Sequence, residues 1–168
     1  MSDIYQVLGS HGIAYQRHDH PPVYTVEEAD RLVPAGEGHK TKNLFLRDEK
    51  GRRHFLVSVA HDKQVDLRRL ATTLGSSKLS FGSSERLLKH LGVEPGAVTL
   101  LAVVNDPSRQ VEVFIDRDLW DGQPLRCHPL VNTATLVVPQ DGIERLLQAT
   151  GHAVRLIDVP TRSETAPI

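Results

Sequence analysis

Two short apolar segments, "KNLFLRD" (42–48) and "HFLVSVA" (54–60), joined through "DEKGR", constrain this chain more than any other feature. Two strand-like runs, with Gly51 and charged residues between them, predict a β-hairpin. Alternation in the first strand places Lys42 with Leu44 and Leu46 on one face, and Asn43 with Phe45 and Arg47 on the other. A lysine on the face its leucines bury has two physical outcomes. Either it lies at the strand's margin and snorkels to water, or it enters a cavity, where a desolvated ammonium needs an anionic or ligand partner.

The remaining elements follow from capping and periodicity. Ser2 or Asp3 caps a helix through Ile4, Val7 and Leu8 that stops at Gly12, and "IAYQRH" (13–18) reads as a strand. Pro21 and Pro22 stiffen a loop before Thr25 and Glu28, whose capping-box spacing predicts a helix from about Val26 to Leu32. "DLRRLATTLG" puts Leu67, Leu70, Ala71 and Leu74 on one helical face ending at Gly75. "SSERLLKHLG" does the same with Leu87, Leu88 and Leu91 ending at Gly92. "TLLAVVND", "QVEVFID" and "TATLVVP" read as further strands, followed by a helix in "QDGIERLLQATG" and a strand in "AVRLIDV". Hairpins mixed with single helices imply an α+β fold: one domain over residues 1–160, a mixed, mostly antiparallel sheet with surrounding helices, and a frayed tail at 161–168.

Composition narrows the function. A length of 168 residues, 39% hydrophobic, suits one sizeable core. No apolar run approaches the ~18 residues of a membrane span, and the single Cys127 cannot form an internal disulfide, so a cytoplasmic protein is expected. Between Lys40 and Lys89 twelve Lys or Arg face five acids, whereas the remainder carries eight basic and sixteen acidic residues. Such an uneven field can guide a polyanion to one side of a protein that is not cationic as a whole.

Several chemistries lack their residues. There is no G-x-S-x-G nucleophile elbow, and "GEGHKT" has the wrong spacing and context for a phosphate-binding loop. His18 and His20 share a strand face but have no third ligand at a recognised spacing, so no metal is expected. Adjacent Cys127 and His128 point to opposite faces of an extended segment and cannot form a dyad, which leaves Cys127 as a half-buried structural residue. His128, held extended by Pro129, is followed by Asn132, Thr133 and Thr135. These small polar groups suit either a turn or the lining of a polar-mouthed pocket.

The ordered set "HPPVYTVEEA", "KTKNLFLRD", "VDLRRLATTLG", "KLSFGSSERLLKHLGVEPGAVT", Asn105-Asp106 and "HPLVNTATL" resembles the editing domains of the YbaK and prolyl-tRNA-synthetase-associated superfamily. Within it, the likeness is to the branch that deacylates alanine mischarged on proline tRNA. The resemblance implies that Lys42 is the essential lysine and Asn43 its neighbour in the motif. It also implies that His128, with Asn132 and Thr133, shapes the amino-acid pocket, and that Gly96 belongs to a glycine loop approaching the aminoacyl ester. Lys40, Arg47, Lys50 and Arg52 are the implied tRNA contacts. Leu100, where proline is more usual, bears on loop shape, and Cys127, where a bulkier apolar residue is usual, bears on pocket size. No cofactor is implied. The implied partners are the acceptor end of a mischarged tRNA and, for delivery, prolyl-tRNA synthetase or an elongation factor, but neither DNA nor a membrane. The alternatives are a deacylase for another small residue (Ser, Thr or Cys), or a non-catalytic module that binds tRNA or synthetase.

Overall fold

The computed structural model describes residues 3–22 and 38–162. The helix expected at Val26–Leu32 lies outside the described residues. Asp3 accepts from the backbone N–H groups of Tyr5 and Gln6 and starts α1 (Ile4–Ser10). Strand β1 (Gln16–Asp19) begins three residues later than periodicity suggested. The hairpin forms as expected: β2 (Thr41–Arg47) and β3 (His54–Ala60) pair antiparallel, with Lys42 opposite Val59 and Arg47 opposite His54.

Helices α2 (Leu67–Leu74) and α3 (Ser84–Leu91) flank a two-residue strand, β4 (Ser80–Phe81). Asp66 and Ser83 cap their N-termini, and both end on a left-handed glycine, Gly75 (φ 66°) and Gly92 (φ 64°), a conformation that only glycine adopts without strain. Leu87 and Leu91 are buried as expected, but Leu88 is 57% exposed, because the helix turns it away from the core its neighbours fill. "TLLAVVND" is not a strand. Thr99 accepts from the N–H of Leu101 and opens a 3₁₀ segment, Leu100–Asn105. Leu100 to Val103 are all buried, so the run carries no alternation by which its state could be read. Then come β5 (Val111–Asp116), β6 (Leu125–Cys127), β7 (Ala134–Val138), α4 (Gln140–Thr150) and β8 (Arg155–Ile157).

The fold is α+β, with two sheets where one was expected. The order β1-β7-β6 is antiparallel throughout. The order β4-β2-β3-β5-β8 is mixed, with the β3–β5 and β5–β8 pairs parallel. Backbone bonds stitch the two sheets at one seam: His39 bridges Leu125 in parallel, His39 N–H donates to Pro124 O (2.9 Å), and Arg126 N–H donates to His39 O (3.0 Å). One apolar cluster, including Phe45, Leu56, Leu91, Leu101, Leu136 and Leu147, packs on one face of the hairpin. A second, with Leu46, Phe55, Val57, Val59, Leu70 and Leu74, packs on the other. Cys127 belongs to the first cluster and is 3% exposed rather than half-buried. Burial pushes its thiol up to about 12, so it is no nucleophile at neutral pH. Pairing also runs past residue 160: Thr161 bridges Val65, and Arg162 N–H donates to Gln64 O at 2.8 Å.

Asn105-Asp106 has a structural job. Asp106 accepts from the N–H groups of Gln110 (3.0 Å) and Val111 (2.9 Å) and meets His152 Nε2 at 2.9 Å, while Asn105 donates to Leu91 O. Asp106 and His152 are both buried. Asp106→Ala leaves two backbone donors and a ring nitrogen unsatisfied, and is expected to cost roughly 3 to 5 kcal/mol. Urea unfolding of the variant against the parent protein measures this.

Candidate active site

The seam between the sheets ties the strand of one main candidate to the segment that leads to the other. Thr41, the first residue of β2, donates its hydroxyl to Arg126 O at 2.7 Å. Lys42 follows Thr41, and His128 lies two residues beyond Arg126. The start of the lysine strand is thus fastened beside the start of the histidine loop.

Lys42 is half-buried at the end of the face that carries Leu44 and Leu46. Desolvation lowers its pKa, and the Asp62 carboxylate partly opposes this. Among the described residues its ammonium makes no hydrogen bond and no ion pair. Asn43 leaves the opposite face and accepts from the hydroxyl of buried Ser58, so its side chain holds the hairpin together rather than accompanying Lys42.

His128 is partly buried, and its ring is fixed by Nδ1, which donates to Ala134 O at 3.2 Å. Burial lowers its pKa, the hydrogen bond to Ala134 O opposes this, and nearby His20 lowers it further, so the net effect favours the neutral ring. Asn132 is half-buried and Thr133 exposed in the same loop, in which Leu130 adopts a left-handed conformation (φ 69°). A non-glycine residue held there costs energy that packing must offset.

His20, for which no third metal ligand stands at a recognised spacing, is held by two hydrogen bonds. Its Nδ1 donates to Pro21 O (2.9 Å) and its Nε2 meets Thr135 Oγ1 (2.8 Å), fixing it against β7 and near His128. Among the described residues no group of three or more His, Cys, Asp or Glu stands together to hold a metal.

Gly96 sits in a 3₁₀ turn, Pro95–Ala97, on the side of the first core cluster, and the seam's hydrogen bonds do not reach it. The expected tRNA contacts divide. Lys40 adjoins Lys42, but Arg47 donates to the carbonyls of Asp48 and Glu49, and Lys50 and Arg52 are exposed at the far turn.

This is an α+β domain with a desolvated lysine and a neutral histidine at a sheet seam, and by class it is a hydrolase of aminoacyl-tRNA esters. The sequence matches the aminoacyl-tRNA editing domain family over residues 20–146, and the chain belongs to that family. It is 40% identical over 147 residues to the prolyl-tRNA editing protein ProX of Acetoanaerobium sticklandii, covering 88% of this chain and 90% of that protein. It is 41% identical over 136 residues to prolyl-tRNA synthetase associated domain-containing protein 1 of Danio rerio, covering 80% and 73%. A solved structure provisionally titled a trans-editing enzyme for prolyl tRNA synthetase superposes with a TM-score of 0.70 at 21% identity, covering 97% of this chain and 99% of that one, and so bears on the fold alone. Among the described residues no helix is long and apolar enough to cross a membrane.

Asp62 is the carboxylate that favours the charged form of Lys42. Asp62→Asn therefore lowers the Lys42 pKa further, so the ammonium loses its proton at a lower pH than in the parent protein. Titration of the Lys42 Nζ signal by NMR reads the shift.

Proposed function

We propose that this chain edits the product of prolyl-tRNA synthetase in trans, hydrolysing the ester of alanine mischarged on proline tRNA. The observation that carries the reading is half-buried Lys42, whose ammonium has no hydrogen bond or ion pair among the described residues, on a strand whose first residue is tied to Arg126, two positions before His128. A cation partly taken from water, with Asp62 acting on it but no ion pair among the described residues, is poised for an anionic or carbonyl-bearing ligand. The names of the relatives from A. sticklandii and D. rerio point to proline tRNA.

The chemistry asks for little beyond this. A synthetase pocket built for proline loses only about 1 to 3 kcal/mol of contact when alanine enters, so a second sieve must remove the error. In the deacylation a water oxygen bonds to the ester carbonyl carbon and the bond to the ribose oxygen breaks. The ribose oxygen takes up a proton, and alanine leaves with its carboxylate. The ester is already activated, so positioning and charge stabilisation supply most of the acceleration. Lys42 is the electrostatic clamp on the tRNA terminus, and backbone groups near Gly96 hold the ester while the ribose hydroxyl assists the water. His128, its Nδ1 tied to Ala134, bounds the pocket with Asn132 and Thr133 so that small side chains fit. Asn43 supports Lys42 by fixing the hairpin through Ser58. The partners are the acceptor end of the tRNA, with Lys40 beside the clamp, and prolyl-tRNA synthetase or an elongation factor for delivery. The reaction belongs to the cytoplasm, where tRNA is charged.

Incubation with Ala-tRNA(Pro), Ala-tRNA(Ala), Pro-tRNA(Pro) and serine-, threonine- and cysteine-mischarged tRNAs is the test, following loss of the acyl group. Ala-tRNA(Pro) is expected to be hydrolysed and Pro-tRNA(Pro) spared; a preference for another small residue would replace alanine in the proposal. Lys42→Ala should lower the rate at least about 100-fold with circular dichroism and melting unchanged, and full retained activity refutes the assignment. His128→Ala should begin to hydrolyse Pro-tRNA(Pro), and continued rejection of it counts against the histidine as a wall of the sieve.

A further inference from the structure

At the turn end of the hairpin, away from Lys42, lies an open cavity of about 390 Å³ lined by Arg52, His54, Arg86, Lys89, His90 and Gln110, with Gly51 at its rim. Three of these are permanent cations and none is a carboxylate. Among the described residues, Arg52, Arg86 and Lys89 form no ion pair, whereas neighbouring Arg53 is discharged by Glu112 through two bonds of 2.9 Å. The concavity therefore keeps its positive charge.

Its donors are held in place. Arg86 Nη1 donates to Gly51 O (3.2 Å) and to His54 Nε2 (3.0 Å), which leaves the rest of its five N–H donors for a ligand. Because a guanidinium only donates, His54 Nε2 accepts and its proton resides on Nδ1. The His54 ring is stacked on Phe45, and the His90 ring lies 4.1 Å from it. The nitrogens of His90 make no hydrogen bond among the described residues. Burial, followed by His90 and Arg86, lowers the His54 pKa to about 4 against the opposing Asp48 carboxylate. His90 is lowered by burial and then by Lys89 and Arg86, with Asp106 opposing. Cations and imidazoles thus disfavour one another's charge in a cleft that lacks a counterion. An oxyanion with several acceptor oxygens relieves this, and a planar guanidinium beside an ammonium suits phosphate geometry.

We propose that this cavity is a phosphoryl-binding site, with Arg86, Lys89, Arg52 and His90 as donors to the phosphate oxygens. Its volume falls in the range of small-molecule sites, leaving room for the group that carries the phosphate. The phosphoryl group comes either from an RNA backbone or from a free phosphorylated molecule, and the chemistry of capture is the same. The proposal does not rest on deacylation. Lys42 leaves the other face of β2, five residues or about 17 Å along the strand from Arg47, which pairs with His54.

The test titrates inorganic phosphate into the full chain and follows the ring signals of His54 and His90 by ¹⁵N–¹H NMR. Saturable shifts are expected, with the His90 pKa raised because the anion favours imidazolium. Lys89→Gln, at an exposed position, keeps the fold and should weaken binding about three- to ten-fold. Arg86→Gln, which also loses its bonds to His54 and Gly51, should weaken it further. Absence of a saturable shift overturns the site, as does the same shift from sodium chloride at equal ionic strength or undiminished binding by Lys89→Gln. With uncharged tRNA added, competition with phosphate assigns the site to RNA. Shifts from phosphate that tRNA leaves untouched assign it to a free phosphorylated ligand. Lys42→Ala should bind phosphate as the parent does, so loss of the editing reading and loss of this one are separable.

Discussion

Strand β3 is buried along its length on both faces, and the rest of the structure is arranged around that burial. From His54 to Val59 every side chain is covered, Phe55, Val57 and Val59 by one apolar cluster and Leu56 by the other. A one-residue slip against β2 would exchange these two sets and drive Ser58 and His54 into the wrong core, so the register is strongly fixed. The same burial obliges the two polar residues of the strand to find partners, which Asn43 supplies for Ser58 and Arg86 for His54. With that register set, Lys42 stands opposite Val59, the last fully covered position before half-buried Ala60. Its partial desolvation follows from where the core ends.

The two residues at the seam respond to burial in a useful way. Burial lowers both pKa values, but from different starting points: it favours the neutral imidazole of His128, and it makes the Lys42 ammonium a less hydrated cation. A less hydrated ammonium gives up less water on meeting a ligand, so its attraction is less diluted than that of a surface lysine. Asp62 keeps this within limits by holding some of the charged form.

How much of this was legible depended on whether a residue's neighbours in sequence were also its neighbours in space. The hairpin was readable because two short apolar runs joined by a Gly51 turn are a local signal, as were the Gly75 and Gly92 helix ends. "TLLAVVND" was not, because a run buried on every side shows no period, and the 3₁₀ state was set by Thr99 and by packing against α3 and α4. Lys42 could be placed on its face but not assigned burial, which depends on where a distant core stops. The partner of His20 was hidden for the same reason: Thr135 lies 115 positions away. The pairing of Arg53 with Glu112, 59 positions apart, was equally hidden, and it removes a cation that composition had counted toward a basic surface.

The positive surplus of residues 40–89 is therefore not one continuous track. Arg53 and Lys63 are consumed internally, Lys63 by buried Asp116 and by Asp118, and Arg47 is turned onto loop carbonyls. Of what remains, two groups lie at the two poles of the hairpin: Lys42, with Lys40 beside it, at the seam, and Lys50, Arg52, Arg86 and Lys89 around the turn, while Arg68, Arg69 and Lys78 are exposed on and after α2. Charges separated by more than the ~8 Å Debye length at physiological salt act on different parts of an approaching anion. A small oxyanion can engage one pole only, whereas a chain of phosphates is long enough to feel both. The strand that makes the hairpin rigid is thus also what fixes the distance between them.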